Sequence, residues 1–320
     1  MGELIRLEDK TAIDGNWQNL KLLVLNTVAS PHTRRAYNFG LDDYRQWHAS
    51  TGGSSGPFWS KAAVNGFKSQ LEARGLASST INIRLSAVRR LAVEAADNGL
   101  LSSELAGAIG RVAGAKSKGI RTGNWLTLDQ AEQFLAAPAN SDNLTGKRDR
   151  ALLALLIGCG LRRSELAGLD FDHIQQRDGR WCLVDLTGKG GKVRTVPMPA
   201  WAKTAVDAWL LAAEITGGKV FRPVVKGGAR VRGEALNSNA IWAAVRKYAA
   251  MIGLPHLAPH DCRRTYAKLA HRGAAPLEQI QLSLGHASIQ TTERYLGVRQ
   301  DLADGPCDHL GIKAKLPPAA

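Results

Sequence analysis

Cysteine is scarce in this chain of 320 residues: Cys159, Cys182, Cys262 and Cys307 stand far apart and never as Cys-x-x-Cys. That excludes a disulfide framework or a zinc site built on paired cysteines and points to reduced thiols in a cytoplasmic protein. Long apolar runs are missing as well. The longest, Ala151 to Leu161, is bounded by Arg150 and Arg162 and falls well short of the roughly 20 residues that span a bilayer. No apolar stretch opens the chain, where MGELIRLEDK carries acidic residues, so neither a secretory leader nor a membrane segment is expected. The sequon Asn143-Leu144-Thr145 therefore has no evident glycosylation role.

Acidic residues are the third deficit. Asp and Glu number 28 against 42 Lys and Arg, a formal net charge of +14. Such an excess favours a polyanionic partner, because cations that neutralise phosphates release condensed counterions. The excess is uneven: residues 1–113 hold 13 cations and 10 anions, and the remainder holds 29 and 18. Hydrophobic residues, at 44%, suffice for a packed interior, so a chiefly disordered chain is excluded. The length allows two domains, or one large one, at roughly 100 to 200 residues each.

The first third reads as helical. Ser30-Pro31 is an N-cap followed by proline at the first helical position, and Tyr37, Leu41, Tyr44 and Trp47 recur at helical spacing. A second pattern runs from about Lys61 to Arg74, and a third begins at Ser78 or Ser79 with Ile81, Leu85, Val88 and Leu91 on one face. A short fourth helix is expected over Ser103 to Val112. Arg34, Arg35, Arg84, Arg89 and Arg90 are candidate phosphate contacts in this part, although arginines on helices are also often simply solvated. From Gly114 to Asn124 the chain has the composition of an exposed basic linker, with Lys116, Lys118 and Arg121 as further candidates. The expected division is thus 1–113, the linker 114–124, a second domain over 125–300 and a tail over 301–320.

The second domain opens with a capping box, Thr127-x-x-Gln130, and an apolar helix follows over Arg148 to about Cys159. Alternation through Trp181 to Thr187 and again over Val193 to Val196, across a Gly-rich turn, predicts a β-hairpin. Helical patterns return over Trp201 to Thr216, Ser238 to Met251, Asp261 to Arg272, Leu277 to Leu284 and Ser288 to Leu296. The turn Gly188-Lys189-Gly190-Gly191-Lys192 fails the P-loop test, since Val193 follows where Ser or Thr is needed. Its lysines can instead reach a DNA groove and donate a proton to a leaving oxygen. His260 and Arg263, at spacing i, i+3 near a helix N-terminus, share a face suited to an anion. Arg162 and Arg163 follow the buried segment, where a guanidinium can fork onto two phosphate oxygens; periodicity does not decide which turns inward. His286 ends one helix, and Tyr295 lies on the next.

Taken in order, these features resemble the tyrosine recombinases, the phage integrase and Xer-like family. The matching stretches are GCGLRRSELAGL (158–169), LTGKGGKVRTVP (186–197), HLAPHDCRRTYAKLA (256–270) and LSLGHASIQTTERYLG (282–297), preceded by SPHTRRAY (30–37) and SSTINIRLSAVRRL (78–91). The resemblance implies a mainly α fold of the DNA breaking-rejoining type: a helical core-binding domain and a mostly helical catalytic domain with a small antiparallel sheet. It carries the catalytic roles onto Arg162, Lys189, His260, Arg263, His286 and Tyr295, with Glu165 in support. The chain departs from the family's His-x-Leu-Arg-His at Cys262 and Arg264. The few residues before residue 15 are too short for an arm-type DNA-binding domain, so the expected arrangement is the simpler, Xer-like one.

The implied activity is site-specific recombination of double-stranded DNA through a 3′-phosphotyrosyl intermediate. No cofactor, nucleotide or metal is implied, and the expected assembly is a homotetramer on two DNA sites or a pairing with a partner recombinase. Relaxation of DNA as by a type IB topoisomerase is one alternative. A catalytically silent architectural DNA-binding protein is another.

Overall fold

The computed structural model describes residues 10–52, 54–116, 124–140, 143–188, 191–225, 227 and 230–297. The chain divides into two compact units, residues 1–121 and 122–320. Lys118, Arg121, Lys189, Cys307 and the 301–320 tail lie outside the described residues. No described helix is long and apolar enough to cross a membrane.

Unit 1 is helical throughout: α1 (Lys10–Asn26), α2 (Pro31–Ser50), α3 (Lys61–Ala73), α4 (Ser78–Asp97) and α5 (Ser103–Gly110). Ser30 caps α2 by accepting from the Thr33 amide, with Pro31 at the first position as its sequence predicts. Helix α4 differs from expectation at its start. Ala77 occupies the cap position, while the Ser78 hydroxyl donates to the Lys116 carbonyl at 2.9 Å. Helix α1 has no counterpart in the sequence reading. It is held by burial of Trp17, Leu20 and Val24 against Leu41, Tyr44 and Phe58, and by Lys21, whose ammonium meets the Asp42 carboxylate at 2.9 Å.

Unit 2 is built around α7 (Leu144–Gly158), buried along Ala151 to Ile157. Against it pack α6 (Leu128–Ala136), α8 (Arg163–Ala167), α9 (Ala200–Ala212), α10 (Ser238–Met251) and α11 (Pro259–Arg272), while α12 (Leu277–Leu284) and α13 (Ile289–Leu296) form a smaller cluster with α11 through Ala267, Ile280, Leu284 and Leu296. A helix apolar on all sides is a core element, and α7 packs most heavily on α9. The Thr127 capping box of α6 is present in both directions.

The predicted hairpin is part of a larger sheet, β1 (Ile174–Arg177), β2 (Arg180–Thr187) and β3 (Val193–Pro197), antiparallel in that order. Strand β1, Ile-Gln-Gln-Arg, is too polar and short to show a period. It enters the sheet through Asp178-Gly179, both with positive φ, the two-residue turn that matches strand twist. The β2–β3 register shifts between Leu183 and Leu186. The shift brings Leu183 and Leu186, three apart, into the same core, and Cys182 and Val184 are buried as well, where simple alternation predicts every second residue.

Candidate active site

Five of the six predicted catalytic residues converge in unit 2; the sixth, Lys189, lies outside the described residues. Arg162 precedes α8, and its Nη1 meets Glu165 Oε1 at 2.7 Å while its own amide donates to Oε2 at 2.8 Å. Arg163 is exposed, which resolves the pair: the first guanidinium faces the carboxylate and the second faces solvent. The hairpin root adjoins this point. A Cβ on Gly188 would stand 3.2 Å from Arg162 Nη1.

Arg263 on α11 is 1% exposed. Its Nη1 donates to the Gly160 carbonyl at 2.6 Å and its Nη2 to the Leu284 carbonyl. Those carbonyls belong to the turn after α7 and the end of α12, so one guanidinium ties three segments. A guanidinium has five N–H donors in a fixed fork, which leaves others for an anion. Gly285, in the left-handed conformation at φ 62°, ends α12 and directs His286 back across the helix end. His286 Nδ1 lies 2.9 Å from the hydroxyl of fully buried Thr292 on α13.

Tyr295 sits one helical turn beyond Thr292 on α13. Its ring stands edge-on to both imidazoles, 5.6 Å from His260 at 77° and 5.3 Å from His286 at 78°. Its hydroxyl donates to the His260 backbone carbonyl at 3.4 Å. A cleft of about 410 Å³ opens beside the cluster, lined by Arg162, Arg163, His260 and Arg263 together with Ser238 and Trp242 at the start of α10.

The electrostatics are those of a cationic pocket with one deeply buried carboxylate. Burial alone would raise Glu165, but hydrogen bonds from Arg194 and the Arg162 amide hold it down at about 2. Burial and then the Arg162 charge lower Arg263 to about 10. His286 is lowered to about 4 by burial, then by Arg263 and Arg162. His260 is lowered by burial, then by Arg264 and Arg263. Burial raises the Tyr295 phenol against the pull of Arg263 and Arg264. Both imidazoles are therefore neutral at pH 7, able to accept a proton, and the net field favours an anion.

Two residues of the cluster escaped the sequence reading as site components. Arg194 on β3 forks onto Glu165, with its Nε donating to the Ser283 carbonyl at 2.8 Å. Arg194 stands two residues before buried Val196 and so shares its face of the strand; an arginine in so short a strand reads as solvated, and only the partner 29 residues earlier shows that it is turned inward. Arg264, noted as a departure, lies over the Tyr295 ring at 5.1 Å.

In unit 1 the candidate DNA contacts separate. Arg34 and Arg35 are exposed, Arg34 donating to Asn26 at 3.1 Å. Lys116 is also exposed. Arg90 pairs with Glu94 at 2.7 Å and is 46% exposed on its side chain. Arg89 donates to the Val112 carbonyl. Arg84, expected as a phosphate contact, is instead 8% exposed and paired with Asp43, because that carboxylate also binds Arg74 at 3.0 Å and draws α4 onto α2.

Comparison with known proteins covers nearly the whole chain. Residues 124–301 match the phage integrase family, and residues 18–99 match the phage integrase N-terminal SAM-like domain. Tyrosine recombinase XerC of Mycobacterium bovis (strain BCG / Pasteur 1173P2) is 34% identical over 286 residues, 86% of this chain and 91% of that protein. The XerC of Thermodesulfovibrio yellowstonii is 30% identical over 272 residues, 84% of this chain and 86% of its own. Two solved structures share the fold. The XerH site-specific recombinase bound to palindromic difH substrate superposes with TM-score 0.65 at 19% identity, covering 94% of this chain and 88% of its own. A lambda integrase dimer bound to a COC′ core site gives TM-score 0.66 at 19% identity, covering 90% and 79%.

Proposed function

The chain belongs to the phage integrase family as a tyrosine-type site-specific recombinase, and we propose that Tyr295 is its nucleophile, served by Arg162, Lys189, His260, Arg263 and His286. The observation that carries this reading is the phenol ring held between two imidazoles inside a cluster of guanidinium groups.

A phenol has an ordinary pKa near 10, so attack on a phosphodiester requires a proton acceptor and a positive field. His260 takes the proton as the Tyr295 oxygen bonds to phosphorus. The bond from phosphorus to the 5′ oxygen breaks, and Lys189 gives that oxygen its proton. Arg162 and Arg263 hold the non-bridging oxygens as charge develops on them, and His286 completes their donor set. The product is a 3′-phosphotyrosyl ester with a free 5′-hydroxyl. Attack by a 5′-hydroxyl of a second duplex reverses the chemistry and joins the strands; the ester conserves the bond energy, so the cycle balances without nucleotide hydrolysis.

DNA is the partner on this reading, specifically a duplex carrying a recombination site. Residues 1–113 serve as the core-binding domain and 125–300 as the catalytic domain, joined by the basic linker 114–124 and followed by the 301–320 tail. Arg34, Arg35, Arg89, Arg90, Lys116, Lys118 and Arg121 supply backbone contacts. The working assembly is four protomers on two sites, or a pairing with a partner recombinase, in the cytoplasm.

The test uses duplexes selected for binding from random DNA and nicked near the cleavage position so that religation is blocked. A denaturation-resistant protein–DNA adduct that disappears in Tyr295→Phe is the expected result. An adduct retained in Tyr295→Phe overturns the nucleophile assignment, and an adduct without strand exchange points to a topoisomerase-like cycle.

A further inference from the structure

The guanidinium groups of the site are not equivalent. Arg162, Arg194 and Arg263 each donate to a carboxylate or a backbone carbonyl within hydrogen-bond distance. Arg264 does not fit that pattern. Its side chain is only 16% exposed, yet its nearest carboxylate oxygen, Asp261 Oδ1, stands at 3.6 Å. The other oxygen of Asp261 is occupied, accepting the Ala258 amide at 3.0 Å at the start of α11. Arg264 Nε is buried with no hydrogen-bond partner. A charge so withdrawn from water needs compensation. Asp261 supplies part of it at 3.6 Å, and the Tyr295 ring also faces the charge, 5.1 Å from Cζ to centroid. An aromatic face attracts a cation through its quadrupole, most strongly where water is excluded.

Spacing along α11 makes this contact a grip. His260 and Arg264 are four residues apart and so share one helix face. The imidazole meets the Tyr295 ring edge-on while the guanidinium covers it. Arg263, between them, points into the interior toward Gly160 and Leu284. We propose that Arg264 is a positioning residue for the nucleophile, holding the Tyr295 ring between His260 and His286 and favouring the phenolate as it forms. This rests on Tyr295 being the nucleophile. A cation beside a neutral phenol gains attraction as the oxygen loses its proton, so the contact is stronger in the transition state than at rest.

The other charged or titratable groups facing Tyr295 are His260, Asp261 and Arg263 from α11, Arg162 from the turn before α8, and His286 from the turn before α13. Asp261 opposes ionisation, whereas Arg263, Arg264 and Arg162 favour it. Arg264 is the member of this set that lies over the ring, its Nε without a hydrogen-bond partner and its ion pair with Asp261 a loose 3.6 Å.

The experiment compares the full chain with Arg264→Gln and Arg264→Lys. Adduct formation on nicked duplexes is followed in a single turnover from pH 6 to 10, with DNA affinity measured in parallel. In Arg264→Gln the cleavage rate at neutral pH should fall about five- to tenfold, the deficit narrowing at alkaline pH, with DNA affinity little changed. Arg264→Lys should recover most of the rate, since an ammonium can occupy the same face. A second readout is independent of cleavage: the Tyr295 phenol, titrated by NMR in ring-labelled protein, should ionise at higher pH in Arg264→Gln. A wild-type rate profile and an unmoved Tyr295 titration in Arg264→Gln overturn the proposal. Equal losses in Gln and Lys with an unmoved titration overturn it as well, in favour of a packing role. Tyr295→Phe separates the two levels: an adduct that survives there sinks the nucleophile assignment itself, whatever the titration shows.

Discussion

Arg194 closes a two-pronged ion pair on Glu165, with Nη1 2.9 Å from Oε1 and Nη2 2.8 Å from Oε2. Both side chains are almost wholly buried, at 8% and 3% exposure. The same carboxylate takes the Arg162 guanidinium and amide, so β3, the start of α8 and, through Ser283, the end of α12 meet on one anion. Removing one partner of such a pair leaves a buried charge uncompensated, a loss of about 3–5 kcal/mol. Glu165 keeps Arg162 in Arg194→Met, so that variant should lower stability by up to about 3 kcal/mol, read by denaturant unfolding. It should also slow adduct formation, because the Glu165 carboxylate that positions Arg162 is no longer held from β3. Stability within 1 kcal/mol of wild type would show that Glu165 finds other partners.

Acid should unfold the protein in two stages. His286 ordinarily titrates at 6.5 and is held at about 4 by burial and then by Arg263 and Arg162. Because the unfolded chain takes up that proton first, the contribution is complete above pH 6.5 and is lost as pH falls through about 4. His260, lowered by burial and then by Arg264, adds in the same direction. Glu165, lowered from 4.5 to about 2, holds its contribution above pH 4.5 and gives it up toward pH 2. Denaturant unfolding at pH 7.5, 5 and 4 should reveal the first stage, and His286→Asn should flatten it. Equal sensitivity to acid with and without the imidazole would remove His286 from this account.

The end of α12 offers a steric test. A Cβ on Gly285 would stand 2.9 Å from Arg194 Cδ, on a backbone at φ 62°. Gly285→Ala should cost about 1–2 kcal/mol for the left-handed backbone, and more for the displaced guanidinium. Gly297 shares the conformation at φ 64°, but its nearest neighbour would be Lys268 Nζ at 3.9 Å, so Gly297→Ala should incur the backbone cost alone. Thermal melting of the two variants separates the contributions; equal losses would mean that Arg194 moves aside freely.

Binding to duplex DNA should weaken steeply with salt. With a net charge of +14, the log–log slope against salt is expected to be at least about −5. Arg34→Ala or Arg35→Ala should each reduce the slope by about 1, with little change in stability. Arg84→Ala should behave differently, lowering stability through the loss of its Asp43 pair and leaving the slope unchanged. Titrations between 50 and 300 mM salt decide this, and a flat response would mean that phosphate contacts do not drive binding.

Much of the helical framework is written in local signals. Ser30-Pro31 and the Thr127 box mark helix starts because a side-chain oxygen or a fixed φ acts within one turn. The bounds of α10 and α12 coincide with their periodic patterns. Helix α1 and strand β1 were not legible: the first depends on a buried Lys21–Asp42 pair and a Trp17 pocket made by other helices, and the second is polar and held by pairing with β2. Within the candidate site, Arg162, His260, Arg263, His286 and Tyr295 stand in short motifs whose order along the chain singles them out as candidates.

Charge balance, residue types and helix caps are properties of neighbours in the chain, and they were readable there. Which arginine is buried is another kind of fact. Arg84 joined Asp43 across 41 positions, Arg194 joined Ser283 across 89, and Arg263 joined Gly160 across 103. Desolvation and Coulomb energy depend on distances between groups remote in sequence. The neutral state of His286, the ionised state of Glu165 and the place of Arg264 over Tyr295 therefore followed from packing alone.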